Sequence, residues 1–320
     1  MAPLDDTTPA TRFDSFDVYR TWYKKIGHHE IEVGILVPKN LKPGKHPLIV
    51  KFHGGALVLG DCLYPDWIAA FFVPFMQRNS AITILPNYRL IPEHSGKDIL
   101  EDLQDFWTWL SNGSVTDYLR TQGRADLDLD HDHILVSGES AGGYMALMSA
   151  LTQSRGTIKA VLAQYPMTNY LRQEPSDTHF GLPSPPKSLL YDHLASIVPG
   201  TTISSAVPPL RGELPYLLAA YDHYLTYFGK DEQMWPIGLI GEKSYLPPTL
   251  IIHGGADSIV EAEDSRMFVE KCKTLDGVEV KLEDRAGGEH GFDIESKEDE
   301  ELWLKEGLAW VESKWLASDS

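Results

Sequence analysis

Short apolar segments that alternate with helical patterns are the feature that most constrains the fold of this chain. Six of these segments are rich in β-branched and other apolar residues and are too short to be helices. They span residues 48–52, 81–85, 133–137, 158–163, 249–253 and 278–282. Helical patterns cover residues 98–110, 142–153, 262–275 and 299–316. Because nearly continuous apolar strands are typical of parallel sheets buried on both faces, this order predicts a doubly wound α/β fold.

Two parts of the chain depart from this alternation. Residues 19–26 and 30–37 indicate an antiparallel hairpin at the sheet edge, with its turn near Gly27 and His28. A later excursion, residues 165–248, contains twelve of the 21 prolines and an aromatic-rich segment, and it is too long for an ordinary connection. We therefore expect a single domain over residues 1–320, with a cap over its functional site formed by about residues 1–15 and 166–246.

Composition and charge exclude several classes of function. The chain has 28 Lys and Arg residues against 46 Asp and Glu residues, and this formal net charge of -18 repels nucleic acid and anionic membrane surfaces. The N-terminus carries acids where a secretion signal carries bases, and no apolar stretch approaches the roughly 20 residues of a spanning helix. Cys62 and Cys272 are too few for a disulfide framework. These features predict a cytoplasmic protein without a nucleic-acid partner or membrane insertion.

A GxSxG motif, from Gly138 to Gly142, lies where a predicted buried strand meets a helix. In a nucleophile elbow the serine occupies a strained strand-to-helix turn, and glycines flank it because a side chain there would collide with adjacent backbone. The N-terminus of the following helix favours the negative charge that develops during acyl transfer. Ser140 is therefore the candidate nucleophile, although the same motif can also form a glycine-rich helix entry without chemistry.

The segment KFHGGAL places His53, Gly54, Gly55 and Ala56 directly after a predicted strand. Small residues at such a point let backbone N–H groups approach an oxyanion, and an alanine still offers its N–H. We expect the donors of an oxyanion hole to be the N–H of Ala141 and N–H groups from among Gly54, Gly55 and Ala56. His53 is interpreted as a residue that braces this loop, not as a base.

A serine hydroxyl needs a histidine to accept its proton and a carboxylate to orient that histidine. Asp257 follows a late predicted strand and His290 follows the last one, so both can project from the carboxyl edge of the sheet. Glu261 and Asp264 are alternative acids, but they lie in or near the next helix. His253 is an alternative base, but it is expected within its strand. Asp257 and His290 are therefore predicted to complete the triad.

The remaining histidines do not indicate a metal site. His28 and His29 are expected in the hairpin turn, and His131 and His133 flank the entry to a strand. A His-x-His pair can bind a metal ion, but no cluster of further Cys or His residues accompanies it. The sequence therefore predicts no metal ion, and the proposed chemistry requires no other cofactor.

Five ordered motifs resemble the hormone-sensitive-lipase-like branch of the α/β-hydrolases, which includes many microbial and fungal carboxylesterases. These motifs are KFHGGAL, NYRLIPEH at residues 87–94, GESAGG, GADSIVE around Asp257 and GGEHGF around His290. The resemblance covers about residues 45–165 and 245–315 and implies the α/β-hydrolase fold. It also implies that the N-terminal segment helps to form the cap, and that Tyr88, Arg89 and Glu93 support the active-site face without doing chemistry.

Together these features predict a serine hydrolase that cleaves a carboxylic ester, or a related acyl bond, through an acyl-enzyme. Aromatic side chains of the expected cap favour a small apolar or aromatic substrate, unless they pack within the cap itself. They are Tyr216, Tyr221, Tyr224, Tyr227, Phe228 and Trp235.

Two alternative functions stay open at this point. The same triad could serve an acyltransferase, or a cyclase or lyase of a biosynthetic pathway. A protein that binds a small apolar ligand without turnover is a further alternative, although His290 argues against it because relatives that became hormone receptors have lost this histidine. A homodimer is compatible with the sequence.

Overall fold

The computed structural model describes residues 7–172, 178–179, 181–243 and 245–317. The strands of these residues are β1 (Phe16–Ile26), β2 (His29–Pro38), β3 (Gly44–Phe52), β4 (Ile82–Pro86), β5 (Leu127–Glu139), β6 (Ala160–Gln164), β7 (Thr178–His179), β8 (Leu182–Pro183), β9 (Thr249–Gly254) and β10 (Val280–Arg285). Eight of them form one sheet in the order β1-β2-β4-β3-β5-β6-β9-β10, and β7 pairs with β8.

The sheet is mostly parallel, as the sequence predicts. β1 and β2 form the expected antiparallel hairpin at one edge, and β2 pairs antiparallel with β4. From β4 across β3, β5, β6 and β9 to β10, all pairings are parallel. This arrangement brings the carboxyl ends of β3, β5, β6, β9 and β10 to the same edge of the sheet, where ligand sites of such sheets are formed.

Strand β3 shows why apolar runs mark the central strands. Leu48 and Val50 pack into one buried cluster of hydrophobic residues, while Ile49 packs into a second cluster that also contains Phe72 and Trp315. Successive side chains of a strand point to opposite faces, so a strand covered on both faces favours apolar residues at nearly every position.

Strand β5 is longer than the predicted segment 133–137. Its first residues pair with the start of β3, and the register then shifts between Pro47 and Leu48. The residues added at its start alternate between buried leucines and more exposed acids from Leu127 to Asp130, and His131 and Asp132 follow. The strand therefore begins in a half-exposed stretch, whose alternating pattern differs from the apolar run that predicts its buried end.

The helices of the described residues include the four that the sequence predicts. They are α1 (Phe72–Arg78), α2 (Gly96–Ser111), α3 (Ser114–Thr121), α4 (Ala141–Thr152), α5 (Lys187–Ser196), α6 (Leu214–Ala220), α7 (Tyr224–Phe228), α8 (Pro236–Leu239), α9 (Ala262–Cys272) and α10 (Leu302–Trp315). Helix α4 is buried from Ala141 to Leu151 and contacts β3, β5 and β6, which places its N-terminus at the centre of the carboxyl edge. In the described part of the chain, no helix has both the length and the apolar character for crossing a membrane.

The insertion between β6 and β9 holds β7, β8 and helices α5 to α8. The segment of the insertion around Ala206 is attached to the rest of the domain. Ala206 forms a β-bridge with Gly60, and the Ser205 hydroxyl donates to Asp61 Oδ2 at 2.6 Å. Farther along, the guanidinium of Arg211 is paired with Glu93. These contacts join the insertion to the loops that follow β3 and β4.

The expected cap boundaries extend beyond the described residues. Residues 1–6, 173–177, 180 and 244 lie outside them. Residues 7–15 do not line the cavity that contains Ser140, so a contribution of the N-terminal segment to the cap stays a prediction.

Candidate active site

Ser140 lies between β5 and α4 in a strained backbone conformation, with φ 55° and ψ -117°. The two motif glycines explain how the turn fits. A Cβ atom on Gly138 would lie 2.3 Å from the carbonyl of Gly142, and a Cβ atom on Gly142 would lie 2.2 Å from the carbonyl oxygen of Phe52. Both contacts are with backbone, which cannot move aside as a side chain can. The local geometry is therefore that of a nucleophile elbow.

Ser140 and His290 line one cavity of about 260 Å³ at the carboxyl edge of the sheet. The body contributes apolar side chains such as Trp67, and the insertion contributes Pro215 and Tyr216 from the first turn of α6. The structure describes no hydrogen bond between Ser140 and His290, which is common for catalytic pairs before a substrate binds. The insertion thus covers a largely apolar chamber that contains the candidate nucleophile.

Most of the aromatic side chains of the insertion pack internally. Of the six that the sequence singles out, Tyr216 lines the cavity, whereas Phe228 and Trp235 are fully buried with ring centroids 4.6 Å apart. Tyr144 of α4 joins this group at 5.8 Å from Phe228 and 5.5 Å from Trp235. The aromatic cluster therefore mainly attaches the insertion to α4, and of the six side chains Tyr216 is the one found among the described residues that line the cavity.

The loop after β3 presents backbone N–H groups to the cavity, but not all of them are free. Gly54 donates its N–H to Glu139 Oε1 at 2.9 Å, so the protein itself uses this donor. Gly55 and Ala56 have positive φ values of 93° and 55°, and within the described residues neither N–H donates to another group. These two N–H groups, and that of Ala141 at the start of α4, for which the described residues likewise show no acceptor, are the candidate oxyanion donors.

A close backbone approach and a hydrogen bond fix the conformation of this loop. A Cβ atom on Gly55 would lie 2.1 Å from the carbonyl oxygen of Leu59, so glycine is required there. The Tyr224 hydroxyl of the insertion donates to the Ala56 carbonyl at 2.9 Å.

His53 lies behind the loop, stacked on Tyr88 with ring centroids 4.4 Å apart, and burial lowers its pKa to about 4. As predicted for a bracing residue, His53 does not line the cavity.

A buried ion pair lies beneath the oxyanion loop, between Lys51 of β3 and Glu139 of the elbow motif. Burial raises the pKa of Glu139, while the Lys51 ammonium and the Gly54 N–H act in the opposite direction. The sequence analysis missed this pair. A signal was present, since a lysine in the apolar strand LIVKF requires a buried partner.

Asp257 and His290 are brought together as expected. His290 Nδ1 lies 2.8 Å from Asp257 Oδ2. The other carboxylate oxygen, Oδ1, accepts the N–H groups of Ile259 and Val260, each at 2.9 Å. Burial alone would raise the pKa of Asp257, but hydrogen bonds from His253, His290 and the backbone hold it well below its usual value. The carboxylate is therefore ionised at neutral pH and oriented toward the imidazole.

His253, the alternative base, contacts the same carboxylate from inside the protein. It belongs to β9 and is fully buried. Its Nε2 lies 2.9 Å from the Val260 carbonyl and 3.3 Å from Asp257 Oδ2, and its Nδ1 lies 2.8 Å from the Ser265 hydroxyl. Because both ring nitrogens are engaged and the ring is away from the cavity, His253 supports the acid and does not compete with His290. The alternative acids Glu261 and Asp264 pair with Arg172 instead.

The sequence analysis missed two residues beside the candidate base. Tyr165 contacts the ring of His290, and Asp293 hydrogen-bonds to Tyr165. The Tyr165 ring lines the cavity with its centroid 4.6 Å from that of His290. Asp293 is fully buried and accepts a hydrogen bond from Gln164 Nε2 at 2.7 Å. Burial raises the pKa of Asp293 to about 6. No local pattern marks Asp293, since its burial depends on contacts with β6.

Asp293→Asn is expected to stabilise the protein at neutral pH. The unfolded chain releases the Asp293 proton near pH 3.8 and the folded protein near pH 6, so the wild type loses about 3 kcal/mol of unfolding free energy between these values. The variant lacks this loss, and its amide oxygen can still accept the hydrogen bond from Gln164 Nε2. Melting temperatures from pH 4 to pH 8 should therefore diverge in favour of the variant as pH rises. Asp128→Asn, at an exposed site of β5, is the control, and parallel curves for Asp293→Asn and wild type would contradict the prediction.

One group of potential metal ligands occurs in the described part of the chain, formed by Glu32, Asp61 and Cys62. Its carboxylates already have partners: Arg20 pairs with Glu32, and Ser205 donates to Asp61. His133 binds the neighbouring Asp130 at 2.8 Å and is not part of this group.

Comparison with known proteins agrees with this architecture. A family model described as alpha/beta hydrolase fold matches residues 49–294, well over half of the chain. The chain belongs to the α/β-hydrolase fold family. This α/β hydrolase is 28% identical over 320 residues to a probable carboxylesterase of Phoma sp., covering 95% of this chain and 98% of that protein. It is an α/β hydrolase of carboxylesterase type.

Two further likenesses bear on this α/β hydrolase. A non-reducing polyketide synthase of Stereocaulon alpinum is 25% identical over 342 residues, which are 95% of this chain and 13% of that protein. The native esterase 2 of Thermogutta terrifontis superposes with a TM-score of 0.59 at 20% identity, covering 95% of this chain and 92% of that chain. The second likeness concerns the fold alone.

Proposed function

We propose that this protein is a serine carboxylesterase in which Ser140, His290 and Asp257 form the catalytic triad. The observation that carries the proposal is the 2.8 Å contact between His290 Nδ1 and Asp257 Oδ2 at the cavity that Ser140 also lines. Ionised Asp257 favours the His290 tautomer whose free Nε2 can accept a proton. The strained turn at Ser140 supports the assignment, because such strain persists where a function requires it.

Acylation begins when Ser140 Oγ attacks the carbonyl carbon of the ester and His290 Nε2 accepts the hydroxyl proton. The oxyanion that forms is stabilised by backbone N–H groups from Gly55, Ala56 and Ala141. Gly54 is left out of this set because its N–H donates to Glu139. The tetrahedral intermediate collapses, the C–O bond to the alcohol breaks, and His290 returns the proton to the departing oxygen.

Deacylation repeats the sequence with water as the nucleophile. The oxygen of the water molecule attacks the acyl-enzyme carbonyl while His290 accepts a proton from that water. The same N–H groups stabilise the second oxyanion. Collapse of this intermediate breaks the bond to Ser140 Oγ, which regains its proton from His290, and the carboxylic acid is released.

The cavity favours an uncharged substrate with apolar or aromatic groups. Among the described residues that line it, Glu139 is the one charged side chain apart from the candidate base, and it is already paired with Lys51 and Gly54. Trp67 and Tyr216 offer aromatic surfaces on the body and the insertion. Similarity to part of a fungal polyketide synthase supports aromatic, polyketide-like acyl or alcohol groups.

A fluorophosphonate probe followed by peptide mass spectrometry tests this proposal directly. We expect stoichiometric modification of Ser140 in the native protein and none after heat denaturation, because the probe reacts only with an activated serine. A parallel panel of p-nitrophenyl acetate, butyrate, octanoate and benzoate should show hydrolysis that labelling abolishes. Labelling at another serine, or neither labelling nor hydrolysis, would overturn the proposal. Labelling of Ser140 without hydrolysis of any ester would favour acyl transfer over hydrolysis.

A further inference from the structure

The loops that carry Asp257 and His290 run side by side from β9 and β10. Gly255 donates its N–H to the Arg285 carbonyl at 2.8 Å, and Ala256 donates to the Gly288 carbonyl at 3.0 Å. At Gly254 the two loops leave no room for a side chain, because a Cβ atom would lie 2.3 Å from the Gly288 carbonyl oxygen. Up to Asp257 the two loops are thus joined by backbone alone.

After Asp257, a side chain, that of Glu289, connects the two loops. The N–H of Ser258, the residue after the acid, donates to Glu289 Oε1 at 2.7 Å. The N–H of His290 donates to the same oxygen at 2.8 Å. One carboxylate oxygen therefore binds the backbone of the residue that follows the acid and the backbone of the base itself. Hydrogen bonds from N–H groups to a carboxylate are charge-assisted and stronger than those between neutral groups.

We propose that Glu289 is a positioning residue of the active site, which sets the separation of Asp257 and His290 by tying their loops together. This inference rests on the proposed function of the triad. Asp257 has its own anchors at Ile259, Val260 and His253. Within the described part of the chain, the one side-chain hydrogen bond to the His290 backbone comes from Glu289. A shift of the loop by about 1 Å would misalign the imidazole with both Asp257 and Ser140, and displacements of this size can lower rates by about 10²-fold.

Glu289→Ala and Glu289→Gln separate this role from a general effect on folding. The alanine variant loses both hydrogen bonds and should show a 10- to 100-fold lower kcat with KM within about twofold of wild type, since the substrate-lining residues are unchanged. The glutamine variant keeps an acceptor oxygen at the same place and should recover most of kcat. Ser258→Ala is the matched control, because the donor there is a backbone N–H that the substitution retains.

Proton NMR provides a readout that does not need turnover. The Nδ1–H proton of His290, bonded to Asp257, should appear far downfield in wild type and in Glu289→Gln, and should shift or disappear in Glu289→Ala. If Glu289→Ala and the wild type showed the same His290 resonance and the same kcat, the positioning role of Glu289 would be overturned. An inactive wild type that still shows the Glu289-dependent resonance would instead indicate that the proposed esterase function is wrong and the positioning is right.

Discussion

Ser140→Ala is expected to lower kcat for the best ester of the panel by about 10⁵- to 10⁶-fold, with the folded state retained. The hydroxyl is the group proposed to form the acyl-enzyme, and no second serine, threonine or cysteine is among the described residues that line the cavity. Loss of the nucleophile in a serine triad removes nearly all of the contribution of the triad at once, because its members act as a unit. The residual rate should come from the oxyanion donors and substrate binding alone. Steady-state kinetics on protein free of wild-type contamination measures it.

Ser137→Ala is the matched control for this experiment. Ser137 lies three residues earlier on β5, is fully buried, and has no hydrogen-bond partner for its hydroxyl among the described residues. Its replacement should leave kcat within about twofold of wild type. Ester hydrolysis that persists in Ser140→Ala at more than about a hundredth of the wild-type rate would show that another group is the nucleophile.

Gly142→Ala should destabilise the protein strongly, with a loss of at least about 3 kcal/mol in the free energy of unfolding or failure to yield folded protein. A Cβ atom there would lie 2.2 Å from the Phe52 carbonyl oxygen and 2.8 Å from that of His53. To relieve these contacts, α4 would have to move away from β3, against the close packing of the protein interior. Chemical denaturation followed by tryptophan fluorescence measures the change.

Gly307→Ala in α10 isolates the effect of the collision from that of the substitution type. Its Cβ atom would meet the end of the Leu250 side chain at 3.0 Å, and no backbone atom. A side chain can adjust, and alanine is favoured over glycine within a helix by about 1 kcal/mol, so little net change is expected. Equal stability losses for the two variants would contradict the close approach of α4 to β3 and with it the geometry of the elbow.

Local sequence patterns predicted those elements whose surroundings are uniform. β3 and β9 are buried along most of their length, so nearly continuous apolar runs mark them, with the paired Lys51 of β3 as an exception. Helix α1 escaped prediction because it has seven residues and buries Phe72, Val73, Phe75 and Met76, leaving no clear polar face. β5 was predicted too short because its first residues are only half-buried.

Ser140, Asp257 and His290 could be selected from the sequence because each follows a predicted strand in a fixed chain order. The roles of Gly54 and of the aromatic side chains of the insertion could not be predicted from the sequence. Whether the Gly54 N–H is free depends on Glu139, 85 residues away. Whether Phe228 faces substrate or protein depends on Tyr144, which belongs to a different element.

What the sequence by itself determined is the α/β alternation and the order of the residues for which we propose catalytic roles, since both follow from short-range patterns of polarity and small residues. The tertiary structure alone decided which backbone donors the cavity receives, which aromatic side chains reach it, and that His253 and Glu289 support Asp257 and His290. These properties arise where segments distant in the chain meet, and the hydrogen bonds and burial that create them have no local signature.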